Sequence, residues 1–307
     1  MRDFQFHRPK SVADAVALLR ANDSAKLLAG GQSLLPVMKL DLAEPTDLVS
    51  LAAIAAAPGG GSHDSRGSRG SHDSHDSQAL REIRTEPTEP ARPADPPGHG
   101  GPEHLVIGAL VTHDEVSTSD VVRRLIPGLA ALAAGIGDAQ VRNRGTIGGS
   151  LAHADPAADY PAAVMALGAT IETDRRRIPA DDFFTGLFTT ALAADEIITA
   201  VHFPVPERSA YAKFPHRASK YALVGVMVAK PRASVAVRVA VTGAGPRVFR
   251  LPALEAALAA RFTPEAAGRG LIAGLAPGDL RSDGEASAEY RAHLVTVMAR
   301  RAIQACL

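Results

Sequence analysis

Residues 140–150 read Gln140-Val-Arg142-Asn143-Arg144-Gly145-Thr146-Ile147-Gly148-Gly149-Ser150, and far upstream stands a second paired-glycine run, Ala29-Gly30-Gly31-Gln32-Ser33-Leu34-Leu35-Pro36. A glycine pair lets the backbone approach a ligand closely and take positive φ, so that successive N–H groups can converge on one anion. Each run follows or flanks a predicted strand, and Ser33 and Thr146 add a hydroxyl beside each. Two such loops face to face predict a pyrophosphate cradle that needs neither lysine nor metal, whereas one Gly-Gly-Ser by itself is only a turn. The sequence has no G-x-G-x-x-G on a strand–helix junction and no G-x-x-x-x-G-K-[ST], which argues against a dinucleotide-binding Rossmann fold or a P-loop.

Working outward, residues 1–57 read as one compact unit. Ser11-x-x-Asp14 resembles a capping box ahead of Val12, Ala15, Val16 and Leu19 on one helical face. Lys26–Ala29 and Asp47–Leu51 read as strands. Residues 58–103 change character: Ser-His-Asp-Ser occurs at 62, 71 and 74, and a Pro/Glu-rich run follows. So little apolar surface is available that ordering the stretch would cost backbone entropy with little return, and a disordered insertion is expected. Order resumes in a strand at His104–Ala109, a second capping-box pattern at Thr112-x-x-Glu115 and a helical run Val121–Ala134. Residues 104–207 form a second unit. From 208 to 307, alternating apolar positions in Ala222–Ala229 and Val235–Thr242 predict antiparallel strands, with helices at Pro252–Ala260 and Ala288–Cys306 packed on them. The fold class is α+β.

Composition narrows the function. Thirty-three basic and 33 acidic residues balance in 307, so no basic field marks nucleic acid as a partner. The first residues lack an apolar leader and no apolar run is long enough to span a bilayer; a cytoplasmic protein, not an integral membrane one, is expected. One cysteine, Cys306, leaves no thiolate set for an iron–sulfur cluster or a Cys-rich zinc site. His153 has no partner at metal-ligand spacing, and no metal site is expected.

The two glycine runs together resemble the FAD-binding subunit of the molybdenum hydroxylases, the xanthine dehydrogenase and carbon monoxide dehydrogenase family. Arg142–Pro161 is most similar to the carbon monoxide dehydrogenase medium-subunit branch. Softer matches follow in family order: Asp181–Gly186, Asp195–Ile198, Tyr211–Phe214, Ser219–Gly225 and Ser287–His293. The resemblance covers nearly the whole chain outside 58–103. It implies a two-part FAD-binding domain (1–57 and 104–207) followed by the C-terminal α+β domain (208–307). It also implies noncovalent FAD, with Ala29, Gly30, Gly31, Gln32, Ser33, Leu34 and Leu35 and Thr146, Ile147, Gly148, Gly149 and Ser150 around the pyrophosphate. Asp159 would accept from the adenosine or ribityl side, Ile198 would meet a ring, and Lys213 and Tyr221 would lie near the isoalloxazine. On the residues alone, Asp159 reads equally as a helix N-cap, Lys213 as an edge lysine and Tyr221 as a core aromatic. The implied partners are a small iron–sulfur subunit and a large molybdopterin subunit in a dimer of heterotrimers, with no side chain of this subunit acting as acid or base. A free-standing FAD oxidoreductase and a flavin-bearing docking scaffold stay open as alternatives.

Overall fold

Ser11 starts the first helix, Val12–Ala21: its hydroxyl accepts the Asp14 N–H, and Val12, Ala15, Val16 and Leu19 are buried along one face. The computed structural model describes residues 1–55, 79–87, 104–232, 234–268 and 277–307. The helix leads into a three-stranded sheet ordered β1–β3–β2, made of Gln5–His7 (β1), Ala25–Leu28 (β2) and Asp47–Ser50 (β3), with both pairings parallel. The sequence reading missed β1, which is three residues long and carries no apolar alternation of its own.

The second sheet, β4–β5–β10–β6–β7, is antiparallel throughout. Its strands are Ile83–Glu86 (β4), His104–Gly108 (β5), Thr170–Thr173 (β6), Arg177–Pro179 (β7) and Ile198–Pro204 (β10), and a small hairpin, Phe184–Gly186 (β8) with Thr189–Thr190 (β9), stands beside it. The expectation of disorder across 58–103 fails over residues 79–87. Leu80 is 2% exposed, and its carbonyl accepts the Leu110 N–H at 2.8 Å while that of Glu82 accepts from Gly108 at 2.9 Å. Side-chain room at Gly108 is filled by the crossing backbone of Ala79 and Leu80. An edge strand draws its hydrogen bonds from a sheet already formed, so a single buried leucine is enough to order a polar segment that composition alone rejects. The rest of that expectation, 58–78 and 88–103, lies outside the described residues.

The helical run Val121–Ala134 is also corrected. It is two helices, Asp120–Leu125 and Pro127–Ala134, because Pro127 has no N–H to continue the ladder and is best placed in a first turn. The Thr112–Glu115 capping box forms reciprocally, with Thr112 N–H to Glu115 at 2.7 Å and Glu115 N–H to Thr112 at 3.2 Å.

The last third is a four-stranded antiparallel sheet of Pro206–Pro215 (β11), Ala222–Pro231 (β12), Arg238–Thr242 (β13) and Phe249–Arg250 (β14). The helices Pro252–Ala260 and Ala288–Cys306 form as expected. Strand alternation divides the sheet between two cores. Val224, Val226 and Val228 pack with Leu294, Val295 and Met298 of the C-terminal helix. Met227 and Ala229, from the same strand, join the core that contains Tyr160–Leu167, a helix buried at every residue. Among the described residues, no helix is long and apolar enough to cross a membrane.

Candidate functional site

The first glycine run leaves the end of β2. Leu28 still accepts the Leu51 N–H at 3.0 Å; then Gly31 turns the chain at φ +74°, a left-handed conformation that disfavours any side chain. Leu35 N–H reaches back to the Gly31 carbonyl at 3.4 Å, and the helix Leu34–Lys39 begins. Among the described residues, the N–H groups of Gly30, Gly31, Gln32, Ser33 and Leu34 donate to no protein acceptor. An unbroken row of free backbone donors around a positive-φ glycine is a concavity suited to an anion.

The second run is built differently. Thr146 is the N-cap of the helix Ile147–His153, and its hydroxyl accepts the Gly149 N–H at 3.1 Å. Ile147 and Gly148 donate to the Val111 and Ala109 carbonyls at 3.1 and 2.9 Å, and Ser150 donates to Thr146 at 3.0 Å. The expected second bank of free donors is therefore not what the structure shows: this glycine pair is a helix's first turn, with its N–H groups taken up by the cap and by the segment after β5. Gly148 is a glycine because a Cβ there would stand 2.6 Å from that of Ala109. Gly149 opens the other way, its Cβ position lying 3.7 Å from the Ala29 Cβ. Gly30 is pressed against the backbone of Arg144 and Gly145. The two glycine runs thus abut, one presenting donors and the other a close-fitting wall.

Asp159 and Lys213 come together, 54 residues apart, in a buried ion pair of 2.9 Å. Tyr211 donates its hydroxyl to Asp159 at 2.6 Å. Asp159 is only 4% exposed and makes no side-chain cap bond to the helix it precedes, so the N-cap reading does not hold. Burial pushes its carboxyl upward, against the pull of the Lys213 ammonium and the Tyr211 hydroxyl; burial first, and then the Asp159 charge, push the Tyr211 phenol well above its ordinary value. Lys213 also donates to the Gly135 carbonyl at 2.8 Å and the Lys220 carbonyl at 3.0 Å, which occupies all three ammonium protons.

Tyr221 is 41% exposed, with the Ser33 hydroxyl and the Asp155 carboxylate beside its phenol; burial, then Asp155, raise its pKa. It therefore stands beside Ser33 at the edge of the first glycine run and is not a core aromatic. Ile198, at 6% exposure, is a core residue of β10. Tyr211 stands in the sequence only within a matched stretch and with no site role, although its spacing of two from Lys213 puts both on one strand face. Sequence reasoning passed over Phe188, a 51% exposed aromatic at φ +53° whose ring lies 5.3 Å from that of His153, at the far end of the Ile147–His153 helix.

Residues 2–60 and 99–206 match the FAD binding domain in molybdopterin dehydrogenase, and residues 209–306 match the CO dehydrogenase flavoprotein C-terminal domain. The chain is 35% identical to the nicotine 6-hydroxylase medium subunit of Paenarthrobacter nicotinovorans over 97% of this chain and 95% of the relative. It is 32% identical to the carbon monoxide dehydrogenase medium chain of Hydrogenophaga pseudoflava, over 98% and 96% of the two chains. A solved structure of carbon monoxide dehydrogenase from H. pseudoflava, lacking the Mo-pyranopterin moiety of the molybdenum cofactor, superposes with a TM-score of 0.80 at 33% identity, covering 99% of this chain and 97% of that one.

Proposed function

The chain belongs to the family of FAD-binding medium subunits of the molybdenum hydroxylases, an oxidoreductase subunit that binds FAD, and from that premise we propose how its residues divide the work. The row of N–H donors from Gly30 to Leu34 holds the FAD pyrophosphate; this is the observation that carries the reading. The donor set fits, since backbone amides supply partial positive charge where no lysine or arginine is needed. Thr146 to Ser150 form the opposing wall, Gly149 leaving space where Ala29 approaches. Tyr221 closes the site above Ser33. Asp159 and Lys213 stand behind it, satisfied by one another and by backbone, and Ile198 lines the core beneath.

When bound, FAD supplies redox chemistry that can join a one-electron donor to a one- or two-electron acceptor, and the protein contributes position and electrostatics. With Cys306 as its only cysteine, the chain leaves iron–sulfur and molybdenum chemistry to a small and a large partner subunit, in a dimer of heterotrimers. Electrons pass from the iron–sulfur subunit through this chain to an external acceptor. The relatives named above are the medium subunits of a nicotine 6-hydroxylase and of a carbon monoxide dehydrogenase, and similar medium chains in two enzymes of such different name support a substrate choice made outside this subunit.

The test is reconstitution. The full chain titrated with FAD is expected to take up about one equivalent and to bind FMN, which lacks the pyrophosphate, far more weakly. Equal affinity for FMN would overturn the placement on the Gly30–Leu34 row. Substrate-dependent flavin reduction is expected only with both partner subunits present, and turnover by this chain alone would overturn the subunit reading.

A further inference from the structure

We propose that Lys213 is a positioning residue for Tyr221: fixed by buried Asp159, its ammonium clamps the turn that carries the tyrosine and so sets how the FAD site closes over the Gly30–Leu34 loop. The inference rests on the reading that this loop and Tyr221 hold FAD.

Lys213 lies on β11, yet its three acceptors come from three places: the Gly135 carbonyl just past the helix Pro127–Ala134, the carboxylate of Asp159, and the Lys220 carbonyl. Lys220 is the residue immediately before Tyr221 and sits at φ +63°, a left-handed conformation that a lysine side chain does not favour. Its carbonyl is thereby turned toward the Lys213 ammonium. The rest of the turn is equally bound. His216 N–H donates to the Tyr221 carbonyl at 2.7 Å and Lys220 N–H to the His216 carbonyl at 3.1 Å. His216 Nδ1 takes the Ser219 N–H at 3.1 Å, and His216 Nε2 meets Glu285 at 3.0 Å. The next residue, Ala222, donates to the Ala157 carbonyl at 3.1 Å.

A buried ion pair is a poor device for stability alone, because desolvating two charges offsets most of their attraction. It is a good device for fixing geometry, since an ammonium with all its protons engaged tolerates few arrangements. The Tyr211 hydroxyl, on the same strand face, holds the carboxylate from the other side. The part of this arrangement nearest the first glycine run is the Tyr221 phenol, which stands beside the Ser33 hydroxyl.

The experiment is a double-mutant cycle on FAD affinity in the full chain, using Lys213→Met, Tyr221→Ala and both together. Lys213→Met is expected to weaken FAD binding about tenfold in the presence of Tyr221 and less than about twofold in the Tyr221→Ala background, the pattern of two residues acting through one another. Equal weakening in both backgrounds would overturn the proposal, because a loss of general stability does not depend on residue 221. Should Tyr221→Ala alone leave FAD affinity unchanged, the fault lies with placing Tyr221 in the FAD site, and the inference falls with it. Lys213→Met strands a buried carboxylate; if that variant does not fold, the cycle is run with Lys213→Met/Asp159→Asn, which removes both charges and is subject to the same two outcomes.

Discussion

Gly30 lies so close to the backbone of Arg144 that a methyl group on Gly30 would overlap the Arg144 carbonyl oxygen. One contact joins the two halves of the FAD-binding domain at the point where the free donors begin.

Gly30→Ala should therefore wedge the two glycine runs apart. The expected cost is about 1–3 kcal/mol, typical of overpacking a site that cannot relax, read as a lower urea midpoint of the flavin-free chain. An unchanged midpoint would mean that the two segments separate freely.

Gly149→Val tests the wall. The branched side chain would crowd Thr146 Oγ1, which lies 2.9 Å from the Cβ position, and point toward Ala29. Losing the Thr146 cap costs about 0.5–2 kcal/mol, and a folded chain with much reduced flavin occupancy is expected. Circular dichroism reports the fold and visible absorbance the flavin; full occupancy at unchanged affinity would show that the site does not extend to this helix.

Leu80→Ala should destabilise the chain by about 2–5 kcal/mol, as for other fully buried leucines. Leu80 anchors the segment from which β5 and its neighbours take two backbone bonds. Thermal unfolding reads this directly, and a shift near zero would show that the segment contributes nothing to the core.

Acid sensitivity should reside partly in Glu196. Hydrogen bonds from Arg176 above all, then from the Ala193 N–H and the Thr173 hydroxyl, hold its carboxyl down to about 2 against burial, from an ordinary 4.5. A folded value below the unfolded one means that the stabilisation is complete above about pH 4.5 and is lost as pH falls toward 2. The stability advantage of the native chain over Glu196→Gln should shrink across that window; parallel acid limbs for the two proteins would remove Glu196 from the account.

Local signals were legible in the sequence. Ser11 and Thr112 announce their helices, and the alternation in Ala222–Ala229 announces a strand, because caps and periodicity depend on near neighbours. The two paired-glycine runs were legible as close-approach turns from their residues alone, but not the difference between them. Thr146 was readable as a hydroxyl beside a ligand, whereas it caps a helix, and only the neighbouring Ala109 and Val111 carbonyls decide that Gly148 and Ile147 have no free donors. Lys213 and Asp159 were both singled out, yet their pairing across 54 residues is a tertiary fact with no local trace. Pro127 marks the break in the helical run within the sequence itself, because it cannot continue the hydrogen-bond ladder. Leu80 could not be found from composition, since one apolar residue in a polar stretch looks like noise until a sheet edge is present to receive it.

The C-terminal third is fastened to the earlier chain by donors of its own. Thr242 Oγ1 reaches the Pro156 and Ala158 carbonyls at 3.0 and 2.6 Å, Gly243 N–H reaches Pro156 at 2.8 Å, and Arg238 reaches the Met165 carbonyl at 2.7 Å. On the ribosome, the buried carboxylate of Asp159 emerges well before the lysine that neutralises it, and the carbonyls of 156–165 emerge before the strands that satisfy them. Burying these polar groups without β11 to β13 would cost desolvation that nothing offsets. Two sequence modules therefore complete one another's buried hydrogen bonds, and severing the chain between them would leave Asp159 and the 156–165 carbonyls without their partners.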